Sequence, residues 1–247
     1  MSQGSLGCVT NLRVHRYADI EGLQSGVAQQ LARSIAAEQA SGSSVALCLS
    51  DGLADICSAF SANAEGGGVD PEKMSLWWSE ERFVDMTDPS RVSTRTLAAL
   101  GTGLRFAPHQ VHPMPSTSGH TDVDAAALMY AGELGDTSFD IAVLAMGDNG
   151  RIAGLVPRSA AFLTFTPHTV VGYTDIRGIQ LTLTLQTLAR AQAVWLIAAG
   201  PKAANALAKT VAGDVSLPSG ALRGRYETHV FADEAAAARL PYHTCEL

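Results

Sequence analysis

Apolar runs and amphipathic stretches alternate along the chain, and their order predicts the fold class. From Ile20 to Ile35 apolar side chains recur at helical spacing, directly after Asp19, a residue type that caps helices. Continuous apolar runs, typical of strands buried on both faces of a parallel sheet, lie at residues 45–49, 74–78, 140–146 and 193–198. Helical stretches follow such runs at residues 123–134 and 203–211. We therefore predict an α/β fold of three layers, Rossmann-like, with a mostly parallel sheet and helices on both faces.

No linker divides this pattern. The glycine- and serine-rich segments 65–68 and 117–119 are too short to separate domains. We expect a single α/β domain over residues 1–247, in which residues 1–10 form a flexible lead. Ligands of open parallel sheets bind at the carboxyl ends of the strands. The polar turns that follow the predicted strands, where functional residues are expected, lie at residues 50–52, 79–82, 147–151 and 200–202.

Charge and composition narrow the function classes. The chain has 17 Lys and Arg against 24 Asp and Glu, a formal net charge of −7, which argues against a nucleic-acid partner. No apolar run approaches the roughly 20 residues of a membrane helix, and no secretory signal is recognisable, so we expect a cytoplasmic protein without a membrane partner. The four cysteines lie far apart and no histidines have metal-ligand spacing. We expect reduced thiols, no metal and no cofactor.

Two of the polar turns carry groups that suit an anionic ligand. Gly147 and Gly150 flank a turn whose backbone N–H groups could hold a phosphate, although an ordinary Asn-Gly turn has the same sequence. Residues 79–82 place two glutamates beside Arg82, whose guanidinium suits phosphate or carboxylate. A charged surface turn is the alternative there. No Gly-x-Ser-x-Gly elbow and no dinucleotide or P-loop glycine motif is present.

The order of several segments resembles the 6-phosphogluconolactonase family, which is related in fold to the glucosamine-6-phosphate deaminases. WWSEERFV resembles its W-[GS]-D-E-R-x-V, FDIAVLAMG resembles F-D-x-x-L-L-G-M-G, and LTLTL resembles I-T-L-T; these segments begin at residues 77, 139 and 181. The resemblance extends from about residue 14 to residue 240. It implies hydrolysis of 6-phosphoglucono-1,5-lactone to 6-phosphogluconate in the pentose phosphate pathway, with a sugar phosphate as the small-molecule ligand.

The family's catalytic turn, G-P-D-G-H-T-A-S-L-F-P, aligns with residues 147–157, and here the two sequences differ. The histidine that serves as general base in the family aligns with Arg151, and the carboxylate two residues earlier aligns with Asn149. An arginine stays protonated and cannot accept the proton of an attacking water. Arg151 could instead bind phosphate or stabilise an oxyanion, or it could be a solvated loop residue.

A substitute base must then come from elsewhere in the chain. Glu80 or Glu81 is one source, although a surface carboxylate with a pKa near 4 is a poor base at neutral pH. His120 and His168 are the other candidates, because sequence distance does not decide whether they reach the Gly150 turn.

The family's phosphate loop, S-G-G-S-T-P, aligns with residues 50–55, which read SDGLAD. Asp51 and Asp55 would repel a phosphate, and Ser50 and Gly52 are the substrate-binding candidates that remain in this loop. The resemblance implies further substrate-binding positions at Arg82, Gly147, Gly150, Arg177 and Lys202.

Two other functions stay open. The base, its carboxylate and the phosphate loop are replaced together, which would suit a catalytically impaired or inactive family member that binds another ligand or a protein partner. An amino-sugar-phosphate deaminase or isomerase is the second alternative. Those relatives also carry a histidine after the glycine-rich turn, and the Leu-Val-Pro at residues 155–157 is closer to the lactonase pattern.

Overall fold

The computed structural model describes residues 11–64, 66–101, 103–119, 122–163 and 169–241. The strands are β1 (Asn11–Tyr17), β2 (Val45–Leu49), β3 (Met74–Trp78), β4 (Glu80–Arg82), β5 (Val111–His112), β6 (Ile141–Ala145), β7 (Val170–Asp175), β8 (Gly178–Leu183), β9 (Ala193–Ala198) and β10 (Glu227–Asp233). The helices are α1 (Ile20–Ala40), α2 (Ala54–Ala64), α3 (Val92–Leu100), α4 (Val123–Leu134), α5 (Ala160–Leu163), α6 (Leu185–Leu188), α7 (Ala204–Val211), α8 (Pro218–Ala221) and α9 (Glu234–Ala237). Single 3₁₀ turns lie at Pro71–Lys73, Pro108–Gln110 and Pro201–Ala203.

The main sheet is parallel throughout its described strands, in the order β1-β10-β9-β6-β2-β3-β5. Its central strands are apolar along their whole length because helices cover both faces. Helices α1, α2 and α3 pack against one face, around Phe60 and Trp195. Helices α4, α7 and α9 pack against the other, around Tyr130 and Leu196. The α/β architecture predicted from the sequence is confirmed.

The chain order reverses between β2 and β6. From β2 the chain continues to β3 and β5 on one side, then returns to β6 and continues to β9 and β10 on the other. Such a switch point leaves a crevice at the carboxyl ends of the two strands, where open α/β sheets bind ligands. Ser50 N donates to Val143 O at 3.1 Å, so the loop after β2 leaves the sheet directly beside β6.

A small antiparallel sheet of order β4-β8-β7 lies next to this crevice. It begins at β4, immediately after β3, where Glu80 pairs with Thr182 of β8. The alternative of a charged surface turn at residues 79–82 is therefore wrong. Glu80 and Glu81 are only 2% and 0% exposed, and the groups that compensate their charges come from distant parts of the chain.

Other expectations from the sequence concern the chain ends and the thiols. Residues 1–10, the expected lead, lie outside the described residues, as do Cys8 and Cys245. Cys48 and Cys57 are free and buried. Within the described part of the chain, no helix is long and apolar enough to cross a membrane.

Candidate active site

The loop after β2 is fastened to the sheet by Ser50. Its buried hydroxyl accepts a hydrogen bond from Ala145 N at 2.8 Å and donates to Asp51 O at 3.0 Å. Gly52 follows with φ +83°, a left-handed conformation that favours glycine, and its N–H donates to Asp51 Oδ1 at 2.7 Å. Ser50 and Gly52, expected to bind substrate, thus shape the loop and present the Asp51 carboxylate to the crevice.

The loop after β6 is a closed turn. Gly147 N donates to Arg151 O at 2.8 Å, and Gly150 N donates to Gly147 O at 2.9 Å. Both glycine N–H groups, expected to face a phosphate, are therefore used within the turn. Asn149 Oδ1 accepts from Arg151 N at 3.1 Å. The turn orients the Arg151 side chain instead of forming an anion cradle.

The Arg151 side chain lies against Glu80. Its Nη1 is 3.3 Å from Glu80 Oε2 and 3.0 Å from the carbonyl oxygen of Ala153. Ala153 holds φ +47°, a conformation that costs a non-glycine residue about 1–2 kcal/mol. Only 27% of the Arg151 side chain is exposed. The alternative of a solvated loop arginine is therefore wrong, because Arg151 forms an ion pair with a buried carboxylate.

Glu80 is a buried carboxylate whose charge is only partly compensated. Burial raises its pKa, Arg151 acts in the opposite direction, and Asp51 raises the pKa further. Arg177 Nη2, at 3.9 Å from Oε2, also favours the ionised form. The expectation of a surface glutamate with a pKa near 4 is wrong for Glu80. A carboxylate with a raised pKa is a better general base near neutral pH.

Glu81 points away from this crevice, because successive side chains of a strand face opposite sides. Its oxygens accept from Val92 N at 2.7 Å, Ser93 N at 3.0 Å and Ser93 Oγ at 2.7 Å, at the beginning of α3. Arg91 Nη2 lies 3.5 Å from Oε2. Glu81 is thus a fully bonded structural carboxylate, and the structure contradicts its candidacy as the substitute base.

Two more arginines approach the crevice. Arg177, in the β7–β8 turn, contacts Asp175 Oδ2 at 3.1 Å through Nε and lies 3.8 Å from Asp51 Oδ2 through Nη1. Arg95, on α3, donates from Nη2 to Asp51 Oδ1 at 2.7 Å. The sequence predicted Arg177 as a site residue but missed Arg95, which lies outside every motif that the resemblance supplied. These two guanidinium groups offset the negative charge of Asp51. Asp55, the other aspartate expected to repel a phosphate, faces α1 instead and accepts a hydrogen bond from Gln24 Nε2.

The arginine–carboxylate cluster consists of Arg95, Arg151, Arg177, Asp51, Glu80 and Asp175. Its three positive and three negative charges balance before any ligand enters. Behind it, Tyr173 donates to Gln180 Oε1 and receives a bond from Arg177 Nη2, and burial raises the pKa of the Tyr173 hydroxyl. The cluster offers a buried carboxylate beside guanidinium groups, which suits proton transfer at an anionic substrate.

Some predicted site residues are not brought to the cluster. The Arg82 side chain makes no hydrogen bond or ion pair with its members among the described contacts, and Lys202 is exposed on the 3₁₀ turn after β9. His120 and His168 lie outside the described residues. In the described parts of the chain, no group of three or more His, Cys, Asp or Glu side chains is placed to hold a metal ion.

Comparison with known proteins assigns this architecture to a family. Residues 18–230 match the family described as glucosamine-6-phosphate isomerases/6-phosphogluconolactonase. A 6-phosphogluconolactonase of Streptomyces coelicolor is 33% identical, covering 93% of this chain and 94% of its own. One of Mycobacterium tuberculosis is 32% identical, covering 91% and 97%. The crystal structure of 6-phosphogluconolactonase from Thermotoga maritima shares the fold, with a TM-score of 0.78 and 18% identity over 90% of this chain and 100% of that one. The chain belongs to the glucosamine-6-phosphate isomerase/6-phosphogluconolactonase family.

Proposed function

We propose that the chain hydrolyses 6-phosphoglucono-1,5-lactone to 6-phosphogluconate, the reaction for which its relatives in Streptomyces coelicolor and Mycobacterium tuberculosis are named. The observation that carries this proposal is the buried Glu80 carboxylate at the strand switch point, 3.3 Å from Arg151. The proposal includes one α/β domain over residues 1–247, a cytoplasmic location, a sugar-phosphate ligand and a place in the pentose phosphate pathway.

Glu80 is the general base in this mechanism. Its ionised carboxylate accepts a proton from a water molecule as the water oxygen attacks the lactone carbonyl carbon. A tetrahedral oxyanion forms, and the Arg151 guanidinium, which already lies beside Glu80, stabilises its charge. When the oxyanion collapses, the bond to the ring oxygen breaks and Glu80 returns the proton to that oxygen. Lactone and water are consumed, and the open-chain acid is released.

Arg95 and Arg177 hold the phosphate in this arrangement. Both face the Asp51 side of the crevice, and the Arg95 side chain is 44% exposed, so a ligand can reach it from solvent. An entering phosphate takes over the bonds that Arg95 and Arg177 now make to Asp51. Guanidinium groups suit this exchange because they bind carboxylates and phosphates with the same geometry.

The test is the rate of hydrolysis of freshly generated lactone by the purified chain, corrected for spontaneous hydrolysis. A parallel double variant, Arg151→His with Asn149→Asp, restores the residues that the family pattern has at these positions. We expect a wild-type rate well above background. A wild-type rate equal to background would refute the proposed activity, and a gain in the double variant would then show that the crevice still accepts the lactone.

A second candidate function rests on one observation, the Arg151–Glu80 ion pair at the position where the family has a histidine. If water does not reach the Glu80 carboxylate while this pair is in place, the chain binds a sugar phosphate without hydrolysing it. Isothermal titration with 6-phosphogluconate identifies this case as measurable affinity together with background hydrolysis.

A further inference from the structure

A second cleft lies at the opposite edge of the main sheet. It has a volume of about 390 Å³ and is formed by the amino ends of β1, β10, β9 and β6. Its wall is a polar stripe on α1, made by Gln30, Ser34 and Glu38, which are four residues apart and share one helix face. Because β6 is five residues long, about 16 Å of sheet separates this cleft from the arginine–carboxylate cluster.

The cleft contains a donor without a protein partner. Trp195 of β9 lines it and is only 2% exposed, yet its indole N–H has no hydrogen-bond partner among the described residues. The other two tryptophans differ, since Trp77 Nε1 donates to Ser75 Oγ and Trp78 Nε1 donates to Thr96 Oγ1. Since the indole nitrogen is not among the fully buried, unpartnered nitrogens of the described residues, its N–H is open to the cleft and can donate to a ligand acceptor.

The charges of the cleft favour a cation. Three carboxylates line it, from Glu38, Asp140 and Glu227, against the single guanidinium of Arg13. Glu227 is bonded to His229, at 2.8 Å between Oε2 and Nε2. This edge is opposite in character to the crevice with Arg95, Arg151 and Arg177, so an anionic sugar phosphate is not expected to bind here.

Asp140 is the carboxylate of the cleft that is best placed to bind a cation. It is half-buried, and its hydrogen-bond donors among the described side chains and neighbouring strands are neutral, Ala46 N at 2.7 Å and Gln192 Nε2 at 2.5 Å. No ion pair with Asp140 is present among the described residues. Burial raises the pKa of this carboxyl, and the Ala46 N–H partly offsets the shift. A half-buried carboxylate without a cation keeps part of its desolvation cost, and an ammonium group placed beside it would offset that part.

We propose that this cleft binds a small organic ammonium ion that also carries a hydroxyl group. The ammonium group pairs with Asp140, and the hydroxyl oxygen accepts the Trp195 indole N–H. Glu38 adds long-range attraction from the rim on α1. The site is independent of the lactone site, because no residue of the arginine–carboxylate cluster lines the cleft.

The test is a ligand titration monitored by NMR through the indole ¹H–¹⁵N signals of the three tryptophans. The Trp195 signal is assigned as the one that is lost in Trp195→Phe. The probe is 4-amino-1-butanol, and the controls are 1,4-butanediol and succinate, which have similar length but no positive charge. We expect the aminoalcohol to shift the Trp195 signal saturably, the diol to bind at least tenfold more weakly, and succinate to cause no shift. Equal effects of aminoalcohol and diol, shifts of all three signals, or no shift would overturn the proposal.

Two variants locate the charge requirement. Asp140→Asn keeps the size of the side chain and removes its charge, and we expect at least a tenfold loss of affinity for 4-amino-1-butanol. Glu38→Gln lies on the exposed face of α1 and tests the same requirement without touching the sheet, with an expected loss of two- to threefold. Glu21→Gln, at the other end of α1, is the matched control and should leave the titration unchanged. Unchanged affinity in both Asp140→Asn and Glu38→Gln would refute the site.

Discussion

Replacing Glu80 with glutamine separates catalysis from folding. The substitution keeps the shape of the side chain and removes the charge that accepts the proton. Loss of a general base typically lowers the rate by about 10²–10⁴-fold, and we expect kcat/KM for the lactone to fall within that range. The ion pair with Arg151, at 3.3 Å, is worth about 5 kcal/mol at an effective dielectric constant of 20. Desolvation of the buried carboxylate offsets most of it, so the unfolding free energy should change by no more than about 2 kcal/mol.

Glu81→Gln is the matched control, because it changes the next residue of β4 in the same way. Glu81 accepts three hydrogen bonds from Val92 and Ser93 and lies 3.5 Å from the buried Arg91. In the glutamine variant, the amide NH₂ group would face the N–H and O–H donors of Val92 and Ser93. The buried positive charge of Arg91 would also lose its ion-pair partner. We expect a loss of about 3 kcal/mol, or a Tm lower by roughly 6–12 °C for a chain of this size.

Lactone hydrolysis and thermal unfolding, measured from pH 4 to 8, check both variants. Burial raises the Glu80 pKa, so wild-type kcat/KM should fall as the pH decreases through a value above the ordinary glutamate range. The stability contribution of Glu80 is complete below its unfolded pKa and is lost as the pH rises through the folded one. The wild type loses this contribution as the pH rises and Glu80→Gln does not. The Tm of the variant, relative to that of the wild type, should therefore increase with pH. Wild-type hydrolysis by Glu80→Gln would refute the assignment of the base.

Three further variants test the surroundings of the base. Arg151→Gln removes a charge that lowers the Glu80 pKa, so the acid limb of the pH–rate profile should move to higher pH, and stability should fall by about 1–2 kcal/mol, less than for a fully buried pair. Arg95→Gln should raise KM about tenfold with little change in kcat, as for lost ground-state binding; an unchanged KM would remove Arg95 from the phosphate site. Gly150→Ala should lower the unfolding free energy by about 1–3 kcal/mol in a denaturant titration, since φ is +82° and the added Cβ would lie 3.0 Å from Leu217; an unchanged midpoint would contradict this.

The main sheet was predictable because its strands are buried on both faces. Strands β2, β3 and β9 have the bounds that their apolar runs indicate, since a parallel strand between two helical layers carries almost no polar residues. Strand β10 was missed because Glu227 and His229 interrupt its apolar pattern. These two residues line the second cleft, at the amino ends of the strands, so the apolar pattern is interrupted where the sheet borders a polar cavity.

The candidate site was predictable in its location but not in its charges. The turns after β2 and β6 meet as expected, because parallel strands place their carboxyl ends at one edge. Burial of Glu80 could not be read from the sequence, since a glutamate in a charged segment is normally solvated. Its compensating groups, Arg151 and Arg177, follow 71 and 97 residues later and reach it only through the fold. The local sequence therefore left a charged surface turn open, and pairing with β8 makes residues 80–82 a strand.

The three arginines of the cluster cannot all serve the phosphate if Glu80 is the base. A phosphate at Arg151 would lie within a few ångströms of the Glu80 carboxylate, and a like charge at that distance raises the carboxyl pKa. This would favour the protonated form of Glu80, which cannot accept the proton of water. The base therefore requires Arg151 to remain with Glu80 and the phosphate to bind on the Asp51 side, where Arg95 is more exposed. For this reason the loss of Arg151 should change the pH dependence of hydrolysis, whereas the loss of Arg95 should change KM.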